Sequence, residues 1–61
     1  MDAGYTRRVR EFLDLTQEEF AHVLGVTVST VNRWENGHAA PSKPARRAIV
    51  RLERGEPADA R

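Results

Sequence analysis

Cysteine is absent from the sequence, and its absence excludes several kinds of scaffold and site. Without thiols the chain cannot form a disulfide or a thiolate zinc site. The two histidines, His22 and His38, stand sixteen positions apart, which is not the spacing of metal ligands. The sequence therefore predicts neither a metal nor a cofactor, and the lack of cysteine fits a reducing compartment such as the cytoplasm.

Long apolar runs are also lacking. No stretch approaches the length of a signal-peptide core or a membrane span, so no membrane partner is predicted. An excess of one charge is missing as well, because ten basic and nine acidic residues leave a net charge of +1. Nine of the basic residues are arginine, which suits contacts to phosphate or guanine, but an ordinary solvated surface explains the same composition equally well.

Nothing in the sequence indicates catalysis. No nucleophile and base stand at an interpretable spacing, and no glycine-rich loop could cradle a phosphate. Glu18 and Glu19 are interpreted as first-turn charges that favour a helix dipole, and Glu35 as the partner of a nearby arginine. The chain is therefore predicted not to be an enzyme.

Apolar periodicity predicts an all-α fold in one small domain over residues 5–54 of the 61-residue chain. Residues 1–4 are expected to form a flexible lead-in and residues 55–61 a flexible tail. The helices are expected at about 5–13, 17–24, 28–36 and 43–54. Their apolar stripes comprise Tyr5, Val9, Phe12, Leu13, Phe20, Ala21, Leu24, Val31, Trp34, Ala45, Ala48, Ile49 and Leu52. The arginines of the first helix, Arg7, Arg8 and Arg10, have two interpretations: a position near a nucleic acid backbone, or a solvated face, which is preferred.

Capping residues mark the ends of these helices. Thr16 followed by Glu19 predicts a capping box at the start of the second helix. Gly25 predicts a left-handed end to the same helix. Thr27 and Ser42 are the predicted N-caps of the third and fourth helices.

Two short helices joined by a glycine turn organise the chain. Counted from Gln17, small Ala21 falls fifth, Gly25 ninth, Val31 fifteenth and Trp34 eighteenth. A steep crossing needs a small residue where the helices touch and apolar anchors on their inner faces. This arrangement leaves the outer face of the third helix protruding, and an α-helix fits the major groove of B-DNA, which is about 12 Å wide.

The stretch LTQEEFAHVLGVTVSTVNRWENGHAAPS resembles the core of the lambda-repressor-like, Xre-type family of helix-turn-helix regulators. This family includes phage repressors and the DNA-binding antitoxins of bacteria. The most specific pieces are LTQEEFA, the turn GVT and the exit WENG, and the similarity spans about residues 9–52. It implies a compact four-helix domain, or a five-helix domain without its last helix. It also implies that the domain binds double-stranded DNA and acts in the cytoplasm, associated with the nucleoid.

The resemblance implies roles for individual residues. Those that would face base edges are Val28, Ser29, Asn32 and Arg33. Those that would contact phosphates are Gln17, Thr27, Asn36, Gly37, His38 and Lys43, with backbone amides serving at the exit of the third helix. The chemistry agrees, because arginine pairs with guanine and asparagine with adenine through two hydrogen bonds, and valine can contact the thymine methyl group.

Several interpretations of the function stay open. A transcriptional regulator, either a repressor or an autoregulatory antitoxin from a bacterium or phage, is the first. The alternative is a protein-interaction module or antitoxin fragment whose main partner is a protein such as a toxin. An αα-hairpin with a glycine turn also occurs in helical proteins without any role on DNA.

The expected homodimer on DNA poses a separate question. Many members of the family dimerise with the help of a fifth helix, and this sequence ends soon after the fourth. Either another surface serves, on the first or fourth helix, or the sequence is a domain of a longer chain.

Overall fold

The computed structural model describes residues 3–58, which form four α-helices and no strand. The helices are α1 (Ala3–Phe12), α2 (Gln17–Leu24), α3 (Val28–Glu35) and α4 (Lys43–Glu53). The predicted all-α class is thereby confirmed. Within the described range, no helix is long and apolar enough to cross a membrane.

The two ends of the chain differ from the expectation. Ala3 and Gly4 belong to α1 and not to a lead-in, whereas residues 1–2 and 59–61 lie outside the described residues. At the other end, the described part of the predicted tail is bonded to α4. The Glu56 amide donates to the Arg51 carbonyl oxygen at 2.8 Å, and Arg51 Nη1 donates to the Ala58 carbonyl oxygen at 3.3 Å.

All four helices end in the same backbone motif. One residue within two positions of each helix end adopts a left-handed conformation, and the next amide donates to a carbonyl five residues back at 2.8–3.1 Å. The left-handed residues are Asp14, Gly25, Gly37 and Gly55, with φ of 58°, 74°, 75° and 80°. Glycine adopts this conformation without a Cβ clash, and aspartate tolerates it better than most residues. The sequence therefore revealed the glycine ends but gave no comparable signal at Asp14.

The helix starts follow the predicted capping chemistry. Thr16 Oγ1 accepts from the Glu19 amide at 3.1 Å, and Glu19 Oε1 accepts from the Thr16 amide at 2.8 Å, so the capping box is confirmed. Thr27 and Ser42 cap α3 and α4 with their hydroxyl oxygens. These caps satisfy amides that would otherwise have no partner within the helix.

One core joins the four helices. Its fully or almost fully buried apolar residues are Val9, Phe20, Ala21, Val31, Trp34 and Ile49. Helix α2 packs against α3, α1 packs against both α3 and α4, and α4 also contacts α2. Ala21 is 3% exposed, which agrees with the small residue expected at the crossing of α2 and α3.

The Tyr5 hydroxyl donates to Glu53 Oε1 at 2.5 Å, a bond that joins α1 to α4 and raises the pKa of Tyr5.

The predicted stripe of α1 was partly wrong. Phe12 is 75% exposed, whereas Thr6, which the pattern did not include, is completely buried. The inner face of α1 follows Thr6, Val9 and Leu13, a register rotated from the one that apolar residue types alone suggested. Packing against α3 and α4 sets this rotation.

Replacing Gly25 by alanine tests the left-handed helix end. No heavy atom lies within 4 Å of the position where a Cβ would stand, so the expected cost is that of the backbone conformation alone, about 1–2 kcal/mol. Urea unfolding followed by circular dichroism measures it. Gly4→Ala is the matched control, because Gly4 is an exposed residue in the first turn of α1 without a left-handed backbone, and a change within about 0.5 kcal/mol is expected. Equal effects of the two substitutions would contradict this assignment.

Candidate nucleic-acid interface

The outer face of α3 presents the four residues that were predicted to read bases. Val28, Ser29, Asn32 and Arg33 are all exposed. The inner face of the same helix holds Val31, Trp34 and Glu35, which are 0%, 5% and 7% exposed. Helical geometry places Asn32 one turn beyond Val28 and Arg33 one turn beyond Ser29, so the four form two short rows on one side.

The side chain of Asn32 is held by its neighbour one turn later. Asn36 Nδ2 donates to Asn32 Oδ1 at 3.0 Å. This bond uses one lone pair of Oδ1 and leaves a second lone pair and the Nδ2 hydrogens of Asn32 for another partner. An amide presented in this way can accept from adenine N6 and donate to adenine N7. Asn36 thus lies beside the predicted base-reading face and orients part of it.

Arg33 is exposed, and its side chain has no hydrogen bond or ion pair to any other residue between 3 and 58. The N–H donors of its guanidinium group are therefore not used by other residues in the described part of the chain. A free fork of N–H donors is what bidentate pairing with guanine O6 and N7 requires.

A buried carboxylate lies directly behind this face. The Glu35 side chain is 0% exposed and accepts hydrogen bonds from α1 and α2. Arg10 Nε donates to Oε2 at 2.7 Å and Arg10 Nη2 to Oε1 at 3.1 Å. Arg7 Nε and Gln17 Nε2 donate to Oε1 at 3.3 and 3.2 Å. We call these four residues the Glu35 cluster; it confirms the interpretation of Glu35 as a partner of arginine.

The ionised form of Glu35 is favoured in this cluster. Burial is the largest influence on the carboxyl group and would by itself raise its pKa. The hydrogen bonds from Arg10, Gln17 and Arg7, with the charge of Arg10, together outweigh burial, so the pKa of Glu35 is lowered. The same contact, chiefly its hydrogen bond, raises the pKa of Arg10.

One of the arginines in α1 was misjudged. A solvated face was expected for all three, and Arg7 is exposed although it bonds to Glu35, but the Arg10 side chain is only 16% exposed. Arg10 also donates from Nη1 to the Leu15 carbonyl oxygen at 2.9 Å, so it braces the turn between α1 and α2. The sequence did contain a signal for this burial, namely the spacing of these residues from core residues. Arg10 follows the buried Thr6 by four residues and Glu35 follows the buried Val31 by four, so each stands in a core register.

Gln17 stands at the first position of α2, as the resemblance required, but its side chain points to the cluster. Its amide nitrogen donates to Glu35, and the residue is half-buried. The amide retains one N–H and its oxygen for a further contact. A phosphate contact of Gln17 would therefore share the same amide group with Glu35.

The exit of α3 offers no free backbone amides. The amide of Asn36 donates to the Asn32 carbonyl oxygen, that of Gly37 to Trp34 and that of His38 to Arg33, at 3.0, 3.2 and 2.9 Å. These three amides therefore donate to carbonyls of α3, and the expected contact between them and a phosphate stays a prediction. Asn36 and His38 keep exposed side chains that can approach a phosphate, whereas Gly37 serves the left-handed turn.

The remaining two predicted phosphate residues have different environments. Thr27 Oγ1 accepts from the Thr30 amide at 3.1 Å and shares a hydrogen bond with the Thr30 hydroxyl at 2.8 Å. Its hydroxyl is thus engaged in capping α3. Lys43, the first residue of α4, is exposed and makes no side-chain bond to the rest of the described chain.

Comparison with known proteins agrees with this geometry. Residues 7–44, more than half of the chain, match the model of a family described as helix-turn-helix, that of Xre and lambda-repressor-like proteins. The matched segment includes all of α2 and α3, the Glu35 cluster and Lys43. No significant similarity to a curated protein or to a solved structure was found. Among residues 3–58, no three histidine, aspartate or glutamate side chains gather as metal ligands.

Glu35→Gln tests the cluster. Removing one partner of a buried ion pair costs about 3–5 kcal/mol, close to the whole stability of a domain of this size. Because the folded pKa of Glu35 is lowered, its contribution is fully present above the pKa of the unfolded carboxyl, about 4.3, and is lost as the pH falls through the folded value. Unfolding followed by the fluorescence of buried Trp34 should therefore show weaker acid sensitivity in the variant.

Two further variants sharpen this test. Glu18→Gln removes an exposed carboxylate with no side-chain bond in residues 3–58, and a change within about 0.5 kcal/mol is expected. The double variant Arg10→Met with Glu35→Leu replaces the buried pair by apolar groups and should recover much of the lost stability. The role of the cluster would be refuted if Glu35→Gln matched Glu18→Gln.

Proposed function

This chain belongs to the helix-turn-helix family of Xre and lambda-repressor-like proteins and is a DNA-binding domain; we propose that it is a sequence-specific transcriptional regulator. Within that class, we propose a repressor or an autoregulatory antitoxin of a bacterium or phage. The supporting observation is the outer face of α3, whose side chains are exposed while Trp34 and Glu35 fix the inner face.

The proposed reading of bases follows from the chemistry of that face. Arg33 pairs with guanine O6 and N7, and Asn32 pairs with adenine N6 and N7. Val28 contacts a thymine methyl group, and Ser29 bonds either a base or a phosphate. Each good bidentate pair provides roughly 1–3 kcal/mol of discrimination against the wrong base.

The proposed backbone contacts surround this helix. Gln17 would bond a phosphate through the part of its amide that Glu35 does not use, and Thr27, Asn36, His38 and Lys43 would add contacts along the same strand. Glu18 and Glu19 stand in the first turn of α2 and oppose an anion there. The phosphate contact of α2 is therefore assigned to the neutral side chain of Gln17 and not to the helix dipole.

Dimerisation on DNA is part of the proposal. A single reading helix contacts few base pairs, so a monomer has little area with which to select a site. Two copies on a palindrome double the contacts, and their half-sites lie about one helical turn apart.

A second candidate function is contact with a protein, such as a toxin or a second copy of this chain. It is favoured by Phe12, which is 75% exposed and lines a shallow pocket together with Tyr5, Val9 and two charged residues, Arg8 and Glu53. Exposed apolar side chains that cluster on a surface often mark a site of contact with another protein. This surface lies on α1 and is compatible with DNA binding by α3.

Selection of bound sequences from a random pool of DNA duplexes tests the main proposal. We expect enrichment of one short motif that contains a guanine and an adenine at neighbouring positions, in two inverted copies about 10 base pairs apart. A single copy of the motif would argue against the dimer alone. Recovery of no motif, together with no salt-sensitive binding to any duplex, would refute the proposed function.

Arg33→Lys separates base reading from general attraction. Lysine keeps the charge but lacks the planar fork, so discrimination at one base pair should fall by roughly 5- to 150-fold while binding to random duplexes changes little. Gln17→Ala should instead weaken the selected and random duplexes to a similar extent. Fluorescence anisotropy with both duplexes measures this, and Arg8→Lys, at an exposed position of α1, is the matched control. Loss of discrimination in the control would contradict the assignment.

A further inference from the structure

The small net charge hides a strong separation of charge along the chain. Between Lys43 and Arg54, five basic residues and one carboxylate give a formal charge of +4. The rest of the chain therefore sums to −3. The most positive helix is thus α4 with its cap, ahead of α1, which carries three arginines and one glutamate, and ahead of α3, whose Arg33 and Glu35 cancel.

The arginines of α4 share one surface. A single open groove, which we call the arginine groove, is lined by Arg46, Arg47, Val50, Arg51 and Arg54. Arg47, Arg51 and Arg54 are four and three residues apart, so they stand in one row on the helix. The row from Arg47 to Arg54 is about 10 Å long, roughly the axial rise of three base pairs of a DNA duplex.

These guanidinium groups have little compensation from the protein. Arg46, Arg47 and Arg54 make no side-chain hydrogen bond or ion pair within residues 3–58, and Arg51 donates only to the Ala58 carbonyl oxygen. Glu53, the nearest carboxylate in sequence, accepts from the Tyr5 hydroxyl. Like charges at this spacing repel one another unless an anion lies between them.

We propose that the arginine groove binds the phosphates of DNA as a contact separate from the base-reading face of α3. This inference rests on the proposed function, which brings a polyanion to the protein. Helix α4 packs on α1 and α2 and makes no extensive contact with α3, so the groove is not an extension of that face. Residues 43–54 carry a formal charge of +4 while the rest of the chain sums to −3, so α4 offers the largest excess of positive charge for attraction to DNA.

Other occupants fit the groove less well. A second copy of the chain in a symmetric contact would bring two arginine rows against each other, which disfavours a dimer through this face of α4. An acidic protein segment has the right charge, but the family of this chain supplies DNA as the polyanion. Binding of an acidic polypeptide is therefore an outcome that the experiment has to separate.

The dependence of DNA affinity on salt tests the proposal. Each phosphate contact contributes a slope of about −0.9 to the plot of log Kobs against log salt concentration. Arg47→Gln and Arg54→Gln should each make the slope shallower by about 0.9. Between 50 and 200 mM NaCl, each variant should then lose roughly 3.5-fold less affinity than the unmodified protein. The probe is a fluorescein-labelled 30-base-pair duplex of random sequence, followed by anisotropy.

Arg8→Gln is the matched control, because it removes the same charge from an exposed position of α1 that lines neither surface on DNA. Its slope should equal that of the unmodified protein, and circular dichroism should show all variants folded. An equal change in the control would overturn the proposal, since net charge alone would then explain the effect. Unchanged slopes in the α4 variants would also overturn it, while leaving the proposed function intact.

Two further outcomes separate the alternatives. If poly-L-glutamate binds the protein and loses affinity with Arg47→Gln while the DNA slope does not change, the groove belongs to acidic proteins and the proposal fails. If the unmodified protein shows no salt-dependent binding to any duplex, the proposed function itself fails. Retention of the selected motif by Arg47→Gln, but not by Arg33→Lys, would support two separate DNA contacts.

Discussion

The buried carboxylate of Glu35 is the constraint on which the arrangement of the domain depends. An ionised group with no exposed surface is tolerated only when charged or polar donors surround it, and here they come from α1 and α2. The same bonds set the position of α3 relative to the start of α2. Helix α3 is proposed to enter the major groove, and the start of α2 is proposed to contact the DNA backbone. The charge of Glu35, at the end of α3, therefore fixes the position of these two elements relative to each other.

The two faces of α3 have different roles, and the positive charge of the protein is unevenly distributed among its helices. The inner side of α3 is occupied by apolar packing and by Glu35, which leaves the outer side free of structural duties. That outer side carries a single charged residue, Arg33, whereas α4 holds most of the excess positive charge. Base recognition and general attraction to DNA are physically distinct, because hydrogen bonds to base edges carry sequence information and charge neutralisation of phosphates does not.

Prediction from the sequence succeeded where the interactions are local. The capping box of Thr16 and Glu19 and the left-handed end at Gly25 depend on residues a few positions apart, and the structure confirms them. It failed at Phe12 and Arg10, because the rotation of α1 about its axis is decided by what packs on it. It did not show that the amides at the exit of α3 donate to carbonyl oxygens of the same helix.

The sequence by itself determined the number of helices, their caps and the family to which the domain belongs, since each follows from residue types at short, regular spacing. Only the tertiary structure decided which charges are buried and which face solvent. Glu35 and Glu18 are the same residue type, as are Arg10 and Arg8. Glu35 and Arg10 nevertheless form a buried pair, whereas Glu18 and Arg8 are exposed. The physical reason is that the environment of a charge depends on distant neighbours, and those neighbours are brought together only when the helices pack.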